Sequence, residues 1–221
     1  MSDRVFADRV EAGRLLGKRL ETMGPFERAV VLALPRCGVP VAFEVAQKLG
    51  LPLDLLIVRK LGAPGQEELA MGAIATGNAL VYNDRVLRGL GVSDEEVERV
   101  TRKERAELER RERLYRGDRP TPELDGRTII LVDDGLATGS TMRAAITAIR
   151  QTRPARIIVA AGVAPPETVA ALGEEADDVV CISTPSLFMG VGQWFEDFSQ
   201  TTDKEVRALL DRAWNKEAAP S

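Results

Sequence analysis

Residues 129–141, IILVDDGLATGST, decide the fold class of this chain. A short apolar run ends in two adjacent carboxylates, and a loop of small residues then leads into a helical pattern. That order is typical of a parallel strand whose carboxyl end is followed by the N-terminus of a helix. Carboxylates can accept hydrogen bonds from a sugar diol, and the backbone amides at a helix start can bind a phosphate. The stretch therefore predicts an α/β fold with a ligand site at the carboxyl edge of the sheet.

Apolar runs on both sides of this stretch alternate with helical patterns. The predicted strands are 29–34, 53–58, 128–132, 156–162 and 179–183. The predicted helices are 3–23, 39–49, 93–115, 140–151, 166–172 and 203–214. This alternation predicts a doubly wound, mainly parallel five-stranded sheet. A length of 221 residues with 44% hydrophobic content suits a single domain over residues 1–221.

One segment does not follow this alternation. Glycine and polar residues are frequent in residues 61–92, where only the short pieces 71–75 and 79–82 have a strand-like pattern. Such a composition predicts a loose excursion outside the core. The helix that follows is marked by Ser93 and Glu96, which have the spacing of a capping box.

The composition excludes several kinds of chemistry. The chain has no histidine, which excludes zinc triads, Ser-His-Asp hydrolysis and imidazole acid–base catalysis. Its two cysteines, Cys37 and Cys181, lie far apart and form no CxxC pair, so we expect neither a disulfide nor a metal site. The net charge of -4 argues against a general nucleic-acid binder, and no apolar stretch is long enough to cross a membrane. Because the N-terminal residues lack the apolar core of a signal peptide, we expect a cytoplasmic protein.

Two common nucleotide-binding motifs do not fit residues 129–141. A Walker A loop needs a lysine after its second glycine, whereas Ser140 follows Gly139 here. The dinucleotide fingerprint opens with glycines and places its acid much later in the chain.

The segment VDDGLATGST instead resembles, almost position for position, the 5-phosphoribosyl 1-pyrophosphate (PRPP) loop of the type I phosphoribosyltransferases. The resemblance implies that Asp133 and Asp134 are catalytic residues that hydrogen-bond the ribose 2- and 3-hydroxyls. It implies that the 5-phosphate is bound by Ala137, Thr138, Gly139, Ser140 and Thr141. The alternative is an ordinary strand, turn and helix with an acidic N-cap.

Two further segments resemble the same family. Leu34-Pro35-Arg36-Cys37-Gly38-Val39 matches the loop that holds pyrophosphate, which implies pyrophosphate binding by Arg36, Cys37 and Gly38. Such loops can contain a cis peptide, and the sequence leaves that open. Val58-Arg59-Lys60 brings Lys60 to the position of the family's pyrophosphate-contacting lysine, which implies a catalytic role as well. The alternative is an Arg-Lys pair on the surface.

The resemblance spans nearly the whole chain. It is strongest to uncharacterised bacterial phosphoribosyltransferase-domain proteins with segments similar to LPRxGVPVA, VRKLGAPG and DFSQTTDxEV. It implies the type I phosphoribosyltransferase fold, with a small hood from the N- and C-terminal segments, the latter at 185–214. It also implies that residues 61–92 are a flexible lid over PRPP, the alternative being a β excursion without a catalytic role.

The activity implied by the resemblance is transfer of the phosphoribosyl group to a nitrogenous acceptor, with a nucleobase favoured, and release of pyrophosphate. Mg²⁺ would be held mainly by PRPP, and no residue is assigned as a metal ligand. Phe188, Val191 and Trp194 are candidates for contact with a planar acceptor, and the alternative is that they only seal the hood. Enzymes of 6-oxopurines carry an acid where this chain has Ala137, which disfavours guanine and hypoxanthine without establishing adenine.

Two rival functions remain open. A catalytically silent PRPP-sensing regulator would keep the site, and an arginine-rich helix at 93–116 could then contact nucleic acid. That helix contains acidic residues as well, which indicates a solvated face, so we expect small-molecule partners and no nucleic acid. A hydrolase of phosphosugars or nucleotides could use the same phosphate loop. Dimers are common among related proteins, so a homodimer is one possible assembly.

Overall fold

A computed structural model describes residues 5–218, without the side chains of Glu68, Asn78, Glu217 and Ala218. The first half of the chain contains α1 (Arg9–Glu21), β1 (Ala29–Ala33), α2 (Gly38–Leu49), β2 (Leu53–Leu55), β3 (Val58–Ala63), β4 (Gln66–Ala75), β5 (Ala79–Tyr82), α3 (Asp84–Leu90) and α4 (Asp94–Arg116). The second half contains β6 (Thr128–Gly135), α5 (Ser140–Arg150), β7 (Arg156–Val163), α6 (Pro166–Gly173), β8 (Asp178–Ser183) and α7 (Asp203–Ala218). No helix in the described part of the chain has the length and apolar character of a membrane span.

The main sheet has five parallel strands in the order β2-β1-β6-β7-β8. Its central strands are buried on both faces, because side chains alternate between two separate clusters. In β6, Ile130 and Val132 pack towards α1, α2 and α7, whereas Ile129 and Leu131 pack towards α5 and α6. The predicted doubly wound, parallel five-stranded sheet is confirmed.

The predicted strand at 53–58 is wrong in its extent. Only Leu53 to Leu55 pairs in the main sheet, and Val58 already begins β3 of a second sheet. Consequently Lys60 lies inside β3, paired with Ala73 of β4, rather than after a strand of the main sheet.

Residues 61–92 are more ordered than the predicted loose excursion, although the two strand-like pieces predicted at 71–75 and 79–82 do lie in strands β4 and β5. This range holds most of an antiparallel sheet of order β3-β4-β5, followed by α3. Leu61, Met71 and Ile74 are fully buried in the main core. A side chain at Gly72 would bring its Cβ within 2.5 Å of the Val81 carbonyl oxygen, so close strand packing accounts for a small residue there. Close strand packing therefore accounts for some of the glycines in this range, such as Gly62 and Gly72, and the lid role stays a prediction.

The N-terminal helix is shorter than the predicted 3–23. It begins at Arg9, where the Asp8 carboxylate accepts a hydrogen bond from the Glu11 amide, and residues 1–4 lie outside the described residues. Phe6 precedes the helix and pairs through its backbone with Phe195. The polar N-cap explains the later start, because it satisfies a first-turn amide.

The hood is smaller than the predicted 185–214 segment. Phe6, Trp194 and Phe195 are buried together beside the end of β7 and form the hood cluster with Ala12 and Val163. In contrast, α7 packs into the main core, and the Trp214 indole N–H donates a hydrogen bond of 2.9 Å to the Leu53 carbonyl on edge strand β2. Helix α7 therefore covers the edge strand β2 instead of the hood cluster.

Candidate functional site

Strand β6 continues through the two acids to Gly135, beyond the predicted end at residue 132. Gly135 still pairs with Val163 of β7, so the acids are strand residues at the carboxyl edge of the sheet. Because successive side chains of a strand point to opposite faces, Asp133 and Asp134 have different surroundings.

Asp134 is buried and paired with a cation from α1. Its Oδ2 accepts a hydrogen bond of 2.9 Å from Arg9 Nε, and both side chains are 8% exposed. Arg9 Nη1 also donates to the Ser199 carbonyl at 2.7 Å, and the guanidinium lies 4.3 Å from the centre of the Phe198 ring. Burial raises the pKa of Asp134, and the Arg9 guanidinium opposes that rise. One arginine thus connects the motif strand to both terminal segments.

Asp133 contacts the loop that follows β1. Its Oδ1 accepts a hydrogen bond of 2.9 Å from the Asp134 amide. Burial and the adjacent Asp134 carboxylate raise the pKa of Asp133 well above its ordinary value. A Cβ at Gly38 would lie 2.6 Å from the Val132 carbonyl oxygen and 3.1 Å from Asp133 Oδ1. The structure therefore brings Gly38 and Asp133 together, as expected for parts of one site.

The β1–α2 loop holds Arg36 and Cys37, two further residues of the predicted pyrophosphate set. The peptide between Pro35 and Arg36 is cis, which answers the question that the sequence left open. Cys37 is the half-buried N-cap residue of α2, and burial, followed by the Asp134 carboxylate, raises the pKa of its thiol. The Arg36 guanidinium points to α7, where its Nη1 lies 3.7 Å from Asp203 Oδ1.

Residues 137–141, called here the loop at 137–141, comprise the end of the β6–α5 loop and the first two residues of α5, and contacts from α6 hold them in place. The Thr168 hydroxyl of α6 donates a hydrogen bond of 2.7 Å to the Ala137 carbonyl. Gly139 has a positive φ of 68°, and a Cβ there would lie 2.9 Å from Thr168 Cγ2. Helix α5 starts at Ser140, and its N-cap residue, Gly139, has no side chain that could cap the first amides of the helix. The start of α5 can therefore accept an anion.

Ala137, Thr138, Ser140 and Thr141 are exposed, whereas Gly139 is buried against α6. The contact between Thr138 and Ser140 within the loop is weak, because Thr138 Oγ1 lies 3.4 Å from the Ser140 amide. These exposed hydroxyls surround the start of α5. The five predicted 5-phosphate residues therefore lie together on one short loop.

Lys60 lies in a different part of the site from the one predicted. It lines a cavity of about 740 Å³ between the second sheet and α5, together with Ser140, Arg143 and Tyr82. The residues that line this cavity include none of Arg36, Asp133 and Asp134. The structure thus groups Lys60 with the loop at 137–141 and not with the β1–α2 loop.

The three predicted acceptor residues are used in packing. Trp194 is 8% exposed within the hood cluster, and Phe188 and Val191 pack against that cluster. A Cβ added at Gly135 would lie only 2.5 Å from Val191 Cγ1, so Val191 packs closely on the backbone of Gly135. For Trp194 the sealing role is the better description, because it leaves little surface for an acceptor. Contact of Phe188 and Val191 with an acceptor stays a prediction.

Three residues that touch the site were missed by sequence reasoning: Arg9, Thr168 and Asp203. Arg9 carried a signal, because it lies on the same helical stripe as the buried residues Ala12, Leu16 and Leu20. A charge on an apolar stripe indicates a buried partner. Thr168 and Asp203 carried no comparable signal, since their contacts depend on residues far away in the chain.

In the range 5–218, no group of three or more Cys, Asp or Glu side chains could hold a metal ion by itself. Asp133 nevertheless offers a carboxylate oxygen at the edge of the sheet, the kind of ligand that Mg²⁺ prefers. The residues present therefore fit a metal ion that takes most of its ligands from a bound phosphate compound and few from the protein.

Comparison with known proteins gives a consistent set of relatives. A family model described as "Phosphoribosyl transferase domain" matches residues 7–194. Two Mycobacterium tuberculosis proteins, named "Putative phosphoribosyl transferase Rv0571c" and "Putative phosphoribosyl transferase MT0597", are each 47% identical to the chain over 210 residues. The aligned region is 95% of this chain and 47% of each relative, so the chain spans about half their length. The crystal structure of TT1426 from Thermus thermophilus is 44% identical, with a TM-score of 0.85, and the match covers 93% of this chain and 97% of that one.

Proposed function

Because the chain belongs to the phosphoribosyl transferase domain family, we propose that it is a phosphoribosyltransferase that binds PRPP with Mg²⁺ and transfers the phosphoribosyl group to a nucleobase. One observation carries the proposal: the Asp133 carboxylate and the open start of α5 lie seven residues apart on one segment, at the carboxyl edge of a parallel sheet. Ligands of such sheets bind at that edge. A carboxylate that can accept hydrogen bonds from a diol, next to a helix start that can bind an anion, suits a ribose phosphate.

The two acids have different roles in this proposal. Asp133 accepts hydrogen bonds from the ribose hydroxyls through the oxygen that the Asp134 amide does not use. Asp134 is held by Arg9, and this buried pair fixes the end of β6 against α1 beside the proposed ribose position. The 5-phosphate is bound by the amides and hydroxyls of residues 137–141, because several converging donors suit a phosphate dianion.

The pyrophosphate of the donor lies on the other side of Asp133 in this proposal. The start of α2 approaches Asp133 at Gly38, where the absence of a side chain lets the backbone lie against Val132 and Asp133 and keeps the preceding loop close to the acid. Arg36 supplies a charged fork that matches phosphate oxygens. Lys60, next to Ser140 in the cavity under the second sheet, contacts an anionic group of the donor if that sheet moves towards the loop as a lid.

Asp133 is the residue that would help to hold Mg²⁺ together with the donor, and the ion would supply charge neutralisation for the pyrophosphate leaving group. The chain's own residues do the rest by position and charge. The bond between C1 and the pyrophosphate oxygen breaks and takes its electron pair to pyrophosphate, a bond from C1 to the acceptor nitrogen forms, and the proton of that nitrogen passes to solvent water. Carboxylates under the ribose favour the positive charge that develops on the sugar.

The acceptor would enter between the hood cluster and the loop at 137–141. Ala137 cannot take a proton from the base, and its carbonyl is already bound by Thr168. This makes a 6-oxopurine a poor fit and leaves adenine or another nitrogenous base as the proposed acceptor. The exposed side chains of Leu187 and Met189, which flank Phe188, offer apolar surface for a planar ring.

Pyrophosphate release from Mg-PRPP, measured with a panel of nucleobases and with no base, tests this proposal. We expect release that depends on one class of base. Binding of PRPP without release under any condition would identify a PRPP-sensing regulator. Release of ribose 5-phosphate without an added base would identify a hydrolase, and either result would contradict the transferase.

A further inference from the structure

Arg36 of the β1–α2 loop and Asp203, the first residue of α7, meet at the surface next to the buried Tyr115 of α4. Arg36 Nη1 lies 3.7 Å from Asp203 Oδ1, and the two side chains are 44% and 48% exposed. The same Oδ1 accepts a hydrogen bond of 2.7 Å from the Tyr115 hydroxyl. Three elements thus contribute to one chain of contacts, Tyr115 to Asp203 to Arg36.

Tyr115 is the fixed end of this chain. It is 6% exposed, and its ring belongs to the main core near the end of α4. Burial, followed by the bond to Asp203, raises the pKa of Tyr115 to about 12. The Tyr115 hydroxyl therefore keeps its proton at neutral pH and donates a hydrogen bond to Asp203.

Asp203 is also fixed by its own helix. The Thr202 hydroxyl accepts a hydrogen bond from the Glu205 amide, and the Glu205 carboxylate accepts one of 2.7 Å from the Thr202 amide. This capping box sets the start of α7, and Val206 and Leu210 anchor the helix in the core with no exposed surface. A carboxylate in the first turn is further favoured by the helix dipole.

Arg36 is the free end of the chain. Its contact with Asp203 is the only ion pair that it makes within residues 5–218, and 3.7 Å is a loose distance for such a pair. Most of its N–H donors therefore remain available to a ligand. An exposed ion pair contributes little to stability, but it restricts the rotamers of a long side chain. That restriction lowers the entropy that the side chain loses when a ligand binds.

We propose that Asp203, held by Tyr115, is a positioning residue that orients Arg36 for binding a diphosphate group. The inference rests on the proposed function, in which Arg36 contacts the pyrophosphate of the donor. It assigns α7 a part in the donor site, although α7 packs into the main core and covers the edge strand β2. The segment DFSQTTD at 197–203 then serves to deliver Asp203 to Arg36.

Calorimetric titration of Mg-pyrophosphate into the full chain tests this role. We expect Arg36→Ala to weaken binding at least tenfold and Asp203→Asn to weaken it about fivefold. In the Arg36→Ala background, Asp203→Asn should cause no further loss, because the residue that it positions is gone. Asp211→Asn is the matched control, since Asp211 is an exposed acid on the same helix, and it should bind like the wild type.

Tyr115→Phe is a second variant that keeps the buried ring and removes only the hydroxyl. We expect about twofold weaker binding, which also disappears in the Arg36→Ala background. Wild-type affinity in both Asp203→Asn and Tyr115→Phe, or equal losses with and without Arg36, would overturn the positioning role and leave the proposed function standing. A wild-type chain that binds neither Mg-pyrophosphate nor Mg-PRPP would overturn both.

Discussion

Arg9 Nε lies 2.9 Å from Asp134 Oδ2, and this ion pair joins the first helix to the strand that carries the acidic motif. Only 8% of either side chain is exposed, so each charge depends on the other. Arg9 also holds the Ser199 carbonyl and packs on Phe198. Assembly of the hood is therefore coupled to the charge state of the motif strand.

Replacing Arg9 with methionine should lower the free energy of unfolding by about 3 kcal/mol, because Asp134 would be left buried without its cation. Urea denaturation at pH 7 measures the change. Arg14→Met is the matched control from the same helix: Arg14 pairs with Glu44 and its side chain is 66% exposed, so we expect a loss below about 1 kcal/mol. Similar losses in the two variants would contradict a buried, mutually dependent pair.

Asp133→Asn should change how stability depends on pH. The raised pKa of Asp133 means that the folded chain binds this proton more tightly than the unfolded chain does. The stability that this tighter proton binding gives the folded chain is fully present below the ordinary pKa of 3.8, and it is lost as the pH rises through the raised pKa of Asp133. Asp133→Asn should therefore be more stable than the wild type by about 1 kcal/mol at pH 7, with the difference vanishing towards pH 4. Thermal unfolding at several pH values measures this, and a difference that is constant with pH would count against it.

Gly38→Ala should separate the β1–α2 loop from the end of β6. The new Cβ would lie 2.6 Å from the Val132 carbonyl oxygen, and backbone must move to admit it. We expect a loss of about 2 kcal/mol in unfolding free energy. Gly89→Ala in α3 is the control, since a Cβ there meets nothing within 4 Å and alanine favours the helix, so that variant should be slightly more stable. If Gly38→Ala is as stable as the wild type, the start of α2 and the end of β6 do not touch as described.

Thr168→Val should loosen the loop at 137–141 while keeping the shape of the side chain. It removes the hydrogen bond to the Ala137 carbonyl at a cost of about 1 kcal/mol in stability. We also expect weaker binding of ribose 5-phosphate, measured by calorimetry. Thr152→Val removes a similar bond to the Ile149 carbonyl, at the opposite end of α5, and should leave that affinity unchanged. Equal affinities in all three proteins would show that Thr168 does not organise the phosphate loop.

The main sheet could be predicted from the sequence because its strands are buried on both faces and therefore read as apolar runs. The second sheet could not be predicted as a whole, because its close packing requires small residues such as Gly72. A strand that contains glycine resembles a loop in composition, so the sequence did not distinguish the two. The split after Leu55 was missed because residues 53–58 are apolar apart from Asp54 and look like one strand, although the chain changes sheets within them.

Within the site, residues next to one another in the sequence could be predicted, and partners from distant segments could not. The loop at 137–141 and Asp133 are local to one motif. The pairing of Arg9 with Asp134 joins residues 125 positions apart, and neither residue reveals the other. Lys60 was expected beside Arg36 because the family resemblance gives both a pyrophosphate role, but Lys60 lies inside a strand of the other sheet.

Binding of Mg-PRPP to the wild type, Asp133→Asn and Asp125→Asn by calorimetry tests the central claim most directly. Asp125 is an exposed acid in the turn before the same strand and controls for the loss of one charge. We predict that the wild type and Asp125→Asn bind Mg-PRPP equally and that Asp133→Asn binds at least about tenfold more weakly. Equal binding by all three proteins, or no binding by the wild type, would contradict a PRPP site at residues 129–141.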